Sequence, residues 1–254
     1  MSDDDLLGVA VDAARAAGAV LLERYEAGAR GVQTKSSATD LVSEADIEAE
    51  RVIRDLLAQR RPDDAIVGEE GDDRPGTSGL RWIVDPLDGT TNYLFGIPQW
   101  CVSVACEGNA GVVLDPVRNE LFAVAAGAAP TLDGAPLTRP GGRGDLATAL
   151  VATGFGYEAG VRAAQSKVVA RLLPQVRDIR RAGSAALDLA WTAAGRYDAY
   201  YEHGVKLWDV AAGRMLCAGA GLDVRDLPAG RGRPPGILAA PAALADELES
   251  IVNG

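Results

Sequence analysis

The chain has 254 residues, 48% hydrophobic and 24% charged, an ordinary globular composition with enough length for a large core in one domain or two packed halves. Its 25 basic residues against 36 acidic ones give a net charge of −11, which argues against nucleic acid or anionic membrane as partners; an anionic substrate would need a metal ion or backbone amides. A single histidine, His203, excludes mechanisms that need two or three, and no GxSxG elbow accompanies it to suggest a serine triad.

Apolar residues recur at helical spacing between Asp3 and Ala27, which predicts one long helix. This stretch is acidic and lacks a basic leader region, so it is not read as a signal peptide, and no apolar run is long enough to span a bilayer. A second helix is predicted from Ser43, where "SEAD" sets Asp46 in a capping-box pattern. The short apolar runs "AIVG", "RWIVD", "CVSVAC", "GVVLD" and "ELFAVAA" predict strands of an antiparallel or mixed sheet. Cys101, Cys106 and Cys217 lie in apolar settings with no CxxC pair, and read as core thiols of a cytoplasmic protein. The segment "LDGAPLTRPGGRGD" holds a DG turn, two prolines and a glycine cluster. It divides an N-terminal subdomain, residues 1–140, from a C-terminal one, residues 141–254. There the pattern alternates: strand "TALVATG", helix from Ala163 to Leu173, strand "VRDIR", helix "SAALDLAWTAAG" capped by Ser184 and ended at Gly195. Strand "YDAYYE", helix "WDVAAGRMLCAGAG", strand "GILAA" and a last helix complete an α/β pattern in two layered halves.

The segment "WIVDPLDGTTN", Trp82 to Asn92, breaks the regular reading. An apolar run stops at Asp85, and Pro86 cannot donate a ladder hydrogen bond, so the chain is expected to turn there. Gly89 permits tight geometry and close approach of a ligand. Thr90 and Thr91 are placed to cap a helix beginning near Asn92, whose free amides suit phosphate. A capped strand-to-helix turn accounts for the same residues. It leaves unexplained why Asp85 and Asp88 flank the turn, since two close carboxylates repel unless a cation or donor lies between them. Oxygen-rich clusters of this kind suit Mg²⁺, Ca²⁺ or Mn²⁺. Glu69 and Glu70 close the strand "AIVG", and Asp209 opens the helix "WDVAAG". Each has a structural use, as a solvated turn or a complement to a helix dipole, just as Asp46 has its capping box. As a set, they are acids placed where elements begin or end.

The segments "KSSATDLVSEAD", "VGEE", "WIVDPLDGTTNY", "RRAGSAALDLAWTAAGRYDAYYE" and "LWDVAAG" together resemble the inositol monophosphatase family, a Mg²⁺-dependent, lithium-sensitive phosphatase superfamily. The likeness covers nearly the whole chain, and "DPLDGTTN" followed by "WDVAAG" is its specific part. It implies a mixed α/β fold, a layered αβαβα sandwich, and a homodimer. It implies metal ligands at Glu69, Asp85, the Leu87 carbonyl, Asp88 and Asp209. Asp46, Thr90 and Glu69 match catalytic positions, the first two orienting the attacking water. The amides of Gly89 and Thr90 match a phosphate cradle. Gly183, Ser184, Ala185 and Glu202 match the pocket for the substrate's hydroxyls. The charge fits: four acids carry roughly −4, which about two Mg²⁺ ions cancel, so that a phosphate dianion can enter. The implied cofactor is Mg²⁺, roughly two or three ions per site, with Mn²⁺ as a substitute.

Two departures stand out. The hairpin within "CVSVACEGNAGVVLDP" is shorter than the family pattern, which bears on a dimer surface rather than on the metals. Lys206, two residues before Trp208, adds a cation that either favours extra negative charge on a substrate or is solvated. Thr91 argues against the histidinol-phosphatase variant of the motif. The implied activity is hydrolysis of myo-inositol monophosphate or a similar polyol phosphate by metal-activated water. Fructose-1,6-bisphosphatase, histidinol-phosphatase and nucleotide 3′-phosphatase share this chemistry, with specificity expected from loops around Glu202, Lys206 and Tyr157. A non-catalytic binding protein is the alternative from another class.

Overall fold

The structure, a computed structural model, describes residues 3–28, 32–34, 41–139 and 144–254. The first half of "KSSATDLVSEAD", residues 35–40, lies outside them, as does the side chain of Ser43 with its expected capping bond.

Helix α1 (Asp3–Glu26) is followed by a short antiparallel pair, β1 (Val32–Thr34) and β2 (Leu41–Ser43), and by α2 (Glu44–Arg60). The larger sheet has seven strands in simple sequence order. They are β3 (Ala65–Gly68), β4 (Arg81–Asp88), β5 (Cys101–Cys106), β6 (Ala110–Asp115), β7 (Glu120–Ala125), β8 (Thr131–Leu132) and β9 (Ala135–Pro136). Only β3 and β4 run parallel; the remaining neighbours are antiparallel, so the sheet is mixed as expected. The DG turn joins β8 to β9, a last hairpin within the segment read as a boundary. Asp133 and Gly134 both have positive φ, which is what a two-residue hairpin turn demands.

A short helix, α3 (Thr90–Phe95), leaves the end of β4. The second sheet has five strands in the order β11 (Asp178–Arg180), β10 (Leu150–Thr153), β12 (Ala199–His203), β14 (Gly236–Ala240) and β13 (Asp223–Leu227). Around it run α4 (Ala159–Leu172), α5 (Ala185–Ala193), α6 (Leu207–Gly219) and α7 (Ala242–Asn253). Helix α4 starts four residues before the expected Ala163, and β13 was not anticipated, because "DVRDL" alternates too weakly to read as a strand.

Three cores stack these elements into αβαβα layers. α1 and α2 cover one face of the large sheet through Leu21, Ile53 and Leu57 against Trp82, Val84 and Val104. α5 and α6 fill the middle layer, touching Val113 and Phe122 of one sheet and Tyr200 and Ala239 of the other. α4 and α7 close the outer face through Val168, Leu244 and Leu248. Strands covered on both faces need continuous apolar runs, which explains why β5 and β6 are buried throughout. Cys101, Cys106 and Cys217 are buried free thiols within these layers. No helix among the described residues is long and apolar enough to cross a membrane.

Candidate active site

The site begins with an irregularity in β4. Asp85 pairs with Ser103 of β5 and Asp88 with Cys101, so three steps along β4 match two along β5. This is a one-residue bulge, and Pro86, which lacks an N–H, falls inside it. The strand therefore continues to Asp88 instead of ending at Asp85, a correction to the sequence reading. In a regular strand, residues three apart point to opposite faces. The extra residue restores the phase, and both Asp85 and Asp88 face one cavity of about 670 Å³.

A second correction concerns the turn after Asp88. Gly89, with φ of 101°, is the N-cap of α3, and Thr90 and Thr91 are already helical. A left-handed backbone here suits glycine, and a Cβ would also lie 2.9 Å from the Gln99 carbonyl oxygen. Freed from capping, Thr90 Oγ1 lies 3.1 Å from Asp46 Oδ1 and 3.1 Å from the Leu87 carbonyl oxygen. Asp46 is fully buried in the first turn of α2. α3 itself is anchored by Tyr93, whose hydroxyl donates to Leu21 O of α1 at 3.1 Å and whose ring packs against Tyr25 and Trp100.

The cavity brings together Glu69, Asp85, Leu87, Asp88, Gly89, Thr90, Gly183, Ala185, Glu202 and Asp209, with Lys206 and Tyr157 also in its wall. Each central acid is steadied through one oxygen. Leu87 N donates to Asp85 Oδ1 at 3.0 Å, and Lys206 N donates to Asp209 Oδ2 at 2.6 Å. Asp88 Oδ2 accepts from Ser184 Oγ at 2.7 Å and Ala186 N at 2.6 Å. Ser184 is the N-cap of α5 by backbone, but its hydroxyl is spent on Asp88 instead of on the helix, and it does not line the cavity. Asp46 likewise stands behind Thr90, outside the cavity wall.

Burial raises the proton affinity of these acids, and their mutual repulsion adds to it. Asp85 is held well above the usual carboxylate range by burial, then by Glu69, Asp88 and Asp209. Asp209 is raised in the same way, by burial and then by Asp88. Asp88 is pushed up to about 6 by burial, although Ser184 and backbone amides oppose the shift. Among the described residues no lysine or arginine side chain pairs with these three aspartates, and no three acid, thiol or imidazole groups are drawn into a finished cage. Unneutralised like charges spread around a cavity wall behave in this way. The donor set is all oxygen, four carboxylates and the Leu87 carbonyl, which suits a hard divalent cation.

Glu202 is pushed up to about 7, chiefly by burial; the Tyr200 hydroxyl, which donates to its Oε2 at 2.8 Å, and Arg181 both oppose this. His203 is buried, lies outside the cavity wall and has Nδ1 2.8 Å from Pro234 O, so it takes no part in the site.

Several supporting residues escaped the sequence reading. Glu50 of α2 accepts from Glu70 N at 2.7 Å and Gly71 N at 2.8 Å, fixing the loop that carries Glu69. Asn92 donates to Gln99 O at 2.7 Å and Ala182 O at 2.9 Å, tying α3 to the turn before Gly183. Arg181 lines the cavity, its guanidinium 5.9 Å from the centre of the Phe155 ring. An acid at helical spacing or an asparagine after a threonine pair carries no signal of such partners.

The fold and this ring of acids define a layered α/β protein built around an oxygen-rich cavity at the C-terminal ends of strands from both sheets. The model of the inositol monophosphatase family matches residues 2–251, and the chain belongs to that family. It is 43% identical over 240 residues to the inositol-1-monophosphatase SuhB of Mycobacterium tuberculosis, covering 89% of this chain and 83% of that one. It is 38% identical to the Nus factor SuhB of Escherichia coli, over 98% of each chain. The crystal structure of the extragenic suppressor protein SuhB from Bartonella henselae superposes with a TM-score of 0.89 at 35% identity, over 97% of this chain and 98% of that one.

Proposed function

We propose that this chain is a divalent-metal-dependent phosphomonoesterase that hydrolyses myo-inositol monophosphate or a similar polyol phosphate. The observation that carries the reading is the bulge in β4, which turns Asp85 and Asp88 onto the cavity that Glu69 and Asp209 also reach. Glu69, Asp85, Leu87 O, Asp88 and Asp209 would hold the metal, Mg²⁺ or in its place Mn²⁺. When bound, such an ion supplies Lewis-acid activation of water and neutralises the charge of the phosphate.

The chain's own residues do the rest. Thr90 Oγ1, between Asp46 Oδ1 and Leu87 O, orients the attacking water and passes its proton towards Asp46. The amides of Gly89 and Thr90 hold phosphate oxygens. Gly183, Ala185 and Glu202 meet the alcohol half, where the Glu202 carboxylate accepts hydrogen bonds from ring hydroxyls. Family membership also supports lithium inhibition and a homodimer.

A panel of inositol 1-phosphate, fructose 1,6-bisphosphate, histidinol phosphate and adenosine 3′,5′-bisphosphate, each with Mg²⁺, tests the reading. The expected result is fastest turnover of the inositol ester. A second reading, a binding protein without turnover, draws support from the name Nus factor carried by the E. coli relative. No hydrolysis across the panel would favour it.

A further inference from the structure

β10 and β12 run parallel, with Thr153 opposite Tyr201. One residue further along each strand brings Gly154 beside Glu202. Tyr200 and Glu202 share a face of β12 because strand side chains alternate, and this lets the fully buried Tyr200 hydroxyl reach Glu202 Oε2 at 2.8 Å. On the other side stands Gly154. A Cβ there would lie 2.0 Å from Glu202 Oε2, 2.2 Å from Cδ and 2.3 Å from Oε1. That overlap takes in the whole carboxyl group.

The backbone of Gly154 is not in the left-handed region, so its own conformation does not call for glycine. The demand is spatial: the carboxylate of Glu202 fills the place of the missing side chain. Both residues line the cavity. A displaced carboxylate would lose the Tyr200 hydroxyl and could not settle nearby without cost. Asp188 of α5 holds another buried carboxyl, with Oδ1 unpartnered, whose proton affinity is raised by burial and then by Glu202. Towards the cavity it would meet Arg181, which makes no ion pair among the described residues and whose pairing with Glu202 would occupy the space of an alcohol.

We infer that Gly154 is a positioning residue for substrate choice: by having no side chain, it sets the Glu202 carboxylate where it selects phosphate esters whose alcohol carries neighbouring hydroxyls. The inference rests on the phosphatase reading above and deepens it.

The test compares wild type, Gly154→Ala, Glu202→Asp and the double variant with Mg²⁺, on inositol 1-phosphate and on p-nitrophenyl phosphate, which has no hydroxyls to select. Gly154→Ala is expected to lower kcat/KM for the inositol ester by about tenfold or more, mostly through KM, and that for the aryl ester by less. Glu202→Asp is one methylene shorter, so adding it to Gly154→Ala should regain part of the lost discrimination. If Gly154→Ala fails to fold, Gly154→Ala/Glu202→Ala removes the clash and should fold. Failure of that double variant as well would show that the glycine serves packing and would overturn the inference. So would an unchanged ratio between the two esters in Gly154→Ala, or equal losses on both. A wild type that hydrolyses neither ester overturns the phosphatase reading itself; one that hydrolyses both, with no response to Gly154→Ala, overturns only the role of Gly154.

Discussion

Thr90 Oγ1 lies 3.1 Å from Asp46 Oδ1, a contact that joins the start of α3 to the start of α2 across 44 positions of sequence. The same hydroxyl is 3.1 Å from Leu87 O, yet it has one proton to give. With that proton directed to an acceptor, its lone pairs are left to accept from a water in the cavity. Thr90→Ala should therefore lower kcat on the order of 10²-fold or more with little change in KM. Thr90→Ser, which keeps the hydroxyl, should retain most of the rate. Steady-state kinetics on inositol 1-phosphate decide the matter: a raised KM at unchanged kcat would mean that Thr90 only helps to hold phosphate.

Asp85→Asn and Asp209→Asn should each abolish Mg²⁺-dependent turnover while leaving the fold intact, since each removes charge without changing volume. Near-normal phosphate release from either variant would sink the metal assignment. Stability should move the other way. Asp85, Asp88 and Asp209 have folded proton affinities above their unfolded ones. The native state thus binds more protons than the unfolded state as pH rises from about 4 through the folded values, so metal-free stability should fall across that range. Thermal unfolding without metal should show wild type losing Tm between about pH 4 and pH 7, and both variants losing less. Saturating Mg²⁺ should reverse the loss in wild type alone.

Glu50→Gln tests the support beneath Glu69. Its carboxylate accepts two backbone amides, Glu70 N and Gly71 N, and Arg54 Nε at 2.6 Å. A glutamine has one acceptor oxygen, so its amide nitrogen must face a backbone N–H. The expected cost is about 1–3 kcal/mol of stability. A several-fold higher Mg²⁺ concentration for half-maximal activity should accompany it, because the loop carrying Glu69 is loosened. A Mg²⁺ titration unchanged from wild type would show that the loop holds its shape without Glu50.

The layers of the fold were legible because their cause is local: continuous apolar runs for strands covered on both faces, helical periodicity for α1, α5 and α6. The acids of the site were legible by type and by place at element ends. Their convergence was not. Asp85 and Asp88 share a cavity through a bulge whose register depends on β5, and no pattern within "VDPLDG" states that register. The expected caps failed for a related reason. Thr90 and Ser184 have side chains able to cap, but the carboxylates of Asp46 and Asp88 accept long-range hydrogen bonds that consume their hydroxyls. Gly154 could be read only as the last residue of the strand "TALVATG", since its neighbour Glu202 is 48 positions away and meets it through strand pairing.

Glu202 carries the last prediction. It reaches the cavity from β12, fixed by the Tyr200 hydroxyl; on the proposed reading it accepts from vicinal hydroxyls of a polyol and repels a second phosphate. Lys206 and Arg181 in the same wall attract one, but among the described residues neither makes an ion pair that would fix its charge as the Tyr200 hydroxyl fixes Glu202. Wild type should therefore prefer inositol 1-phosphate to fructose 1,6-bisphosphate, and Glu202→Gln should weaken that preference by roughly 1–3 kcal/mol, the worth of charge-assisted buried hydrogen bonds. The variant also has a pH signature. The folded proton affinity of Glu202, about 7, lies above its ordinary value of 4.5, so its charge costs stability that is absent below the ordinary value and fully felt above the folded one. Glu202→Gln should match wild type in metal-free Tm near pH 4 and exceed it increasingly up to about pH 7 and beyond. A variant no more stable than wild type at pH 8 would place the carboxylate in water. A wild type that prefers the bisphosphate would hand the choice of substrate to the cations instead.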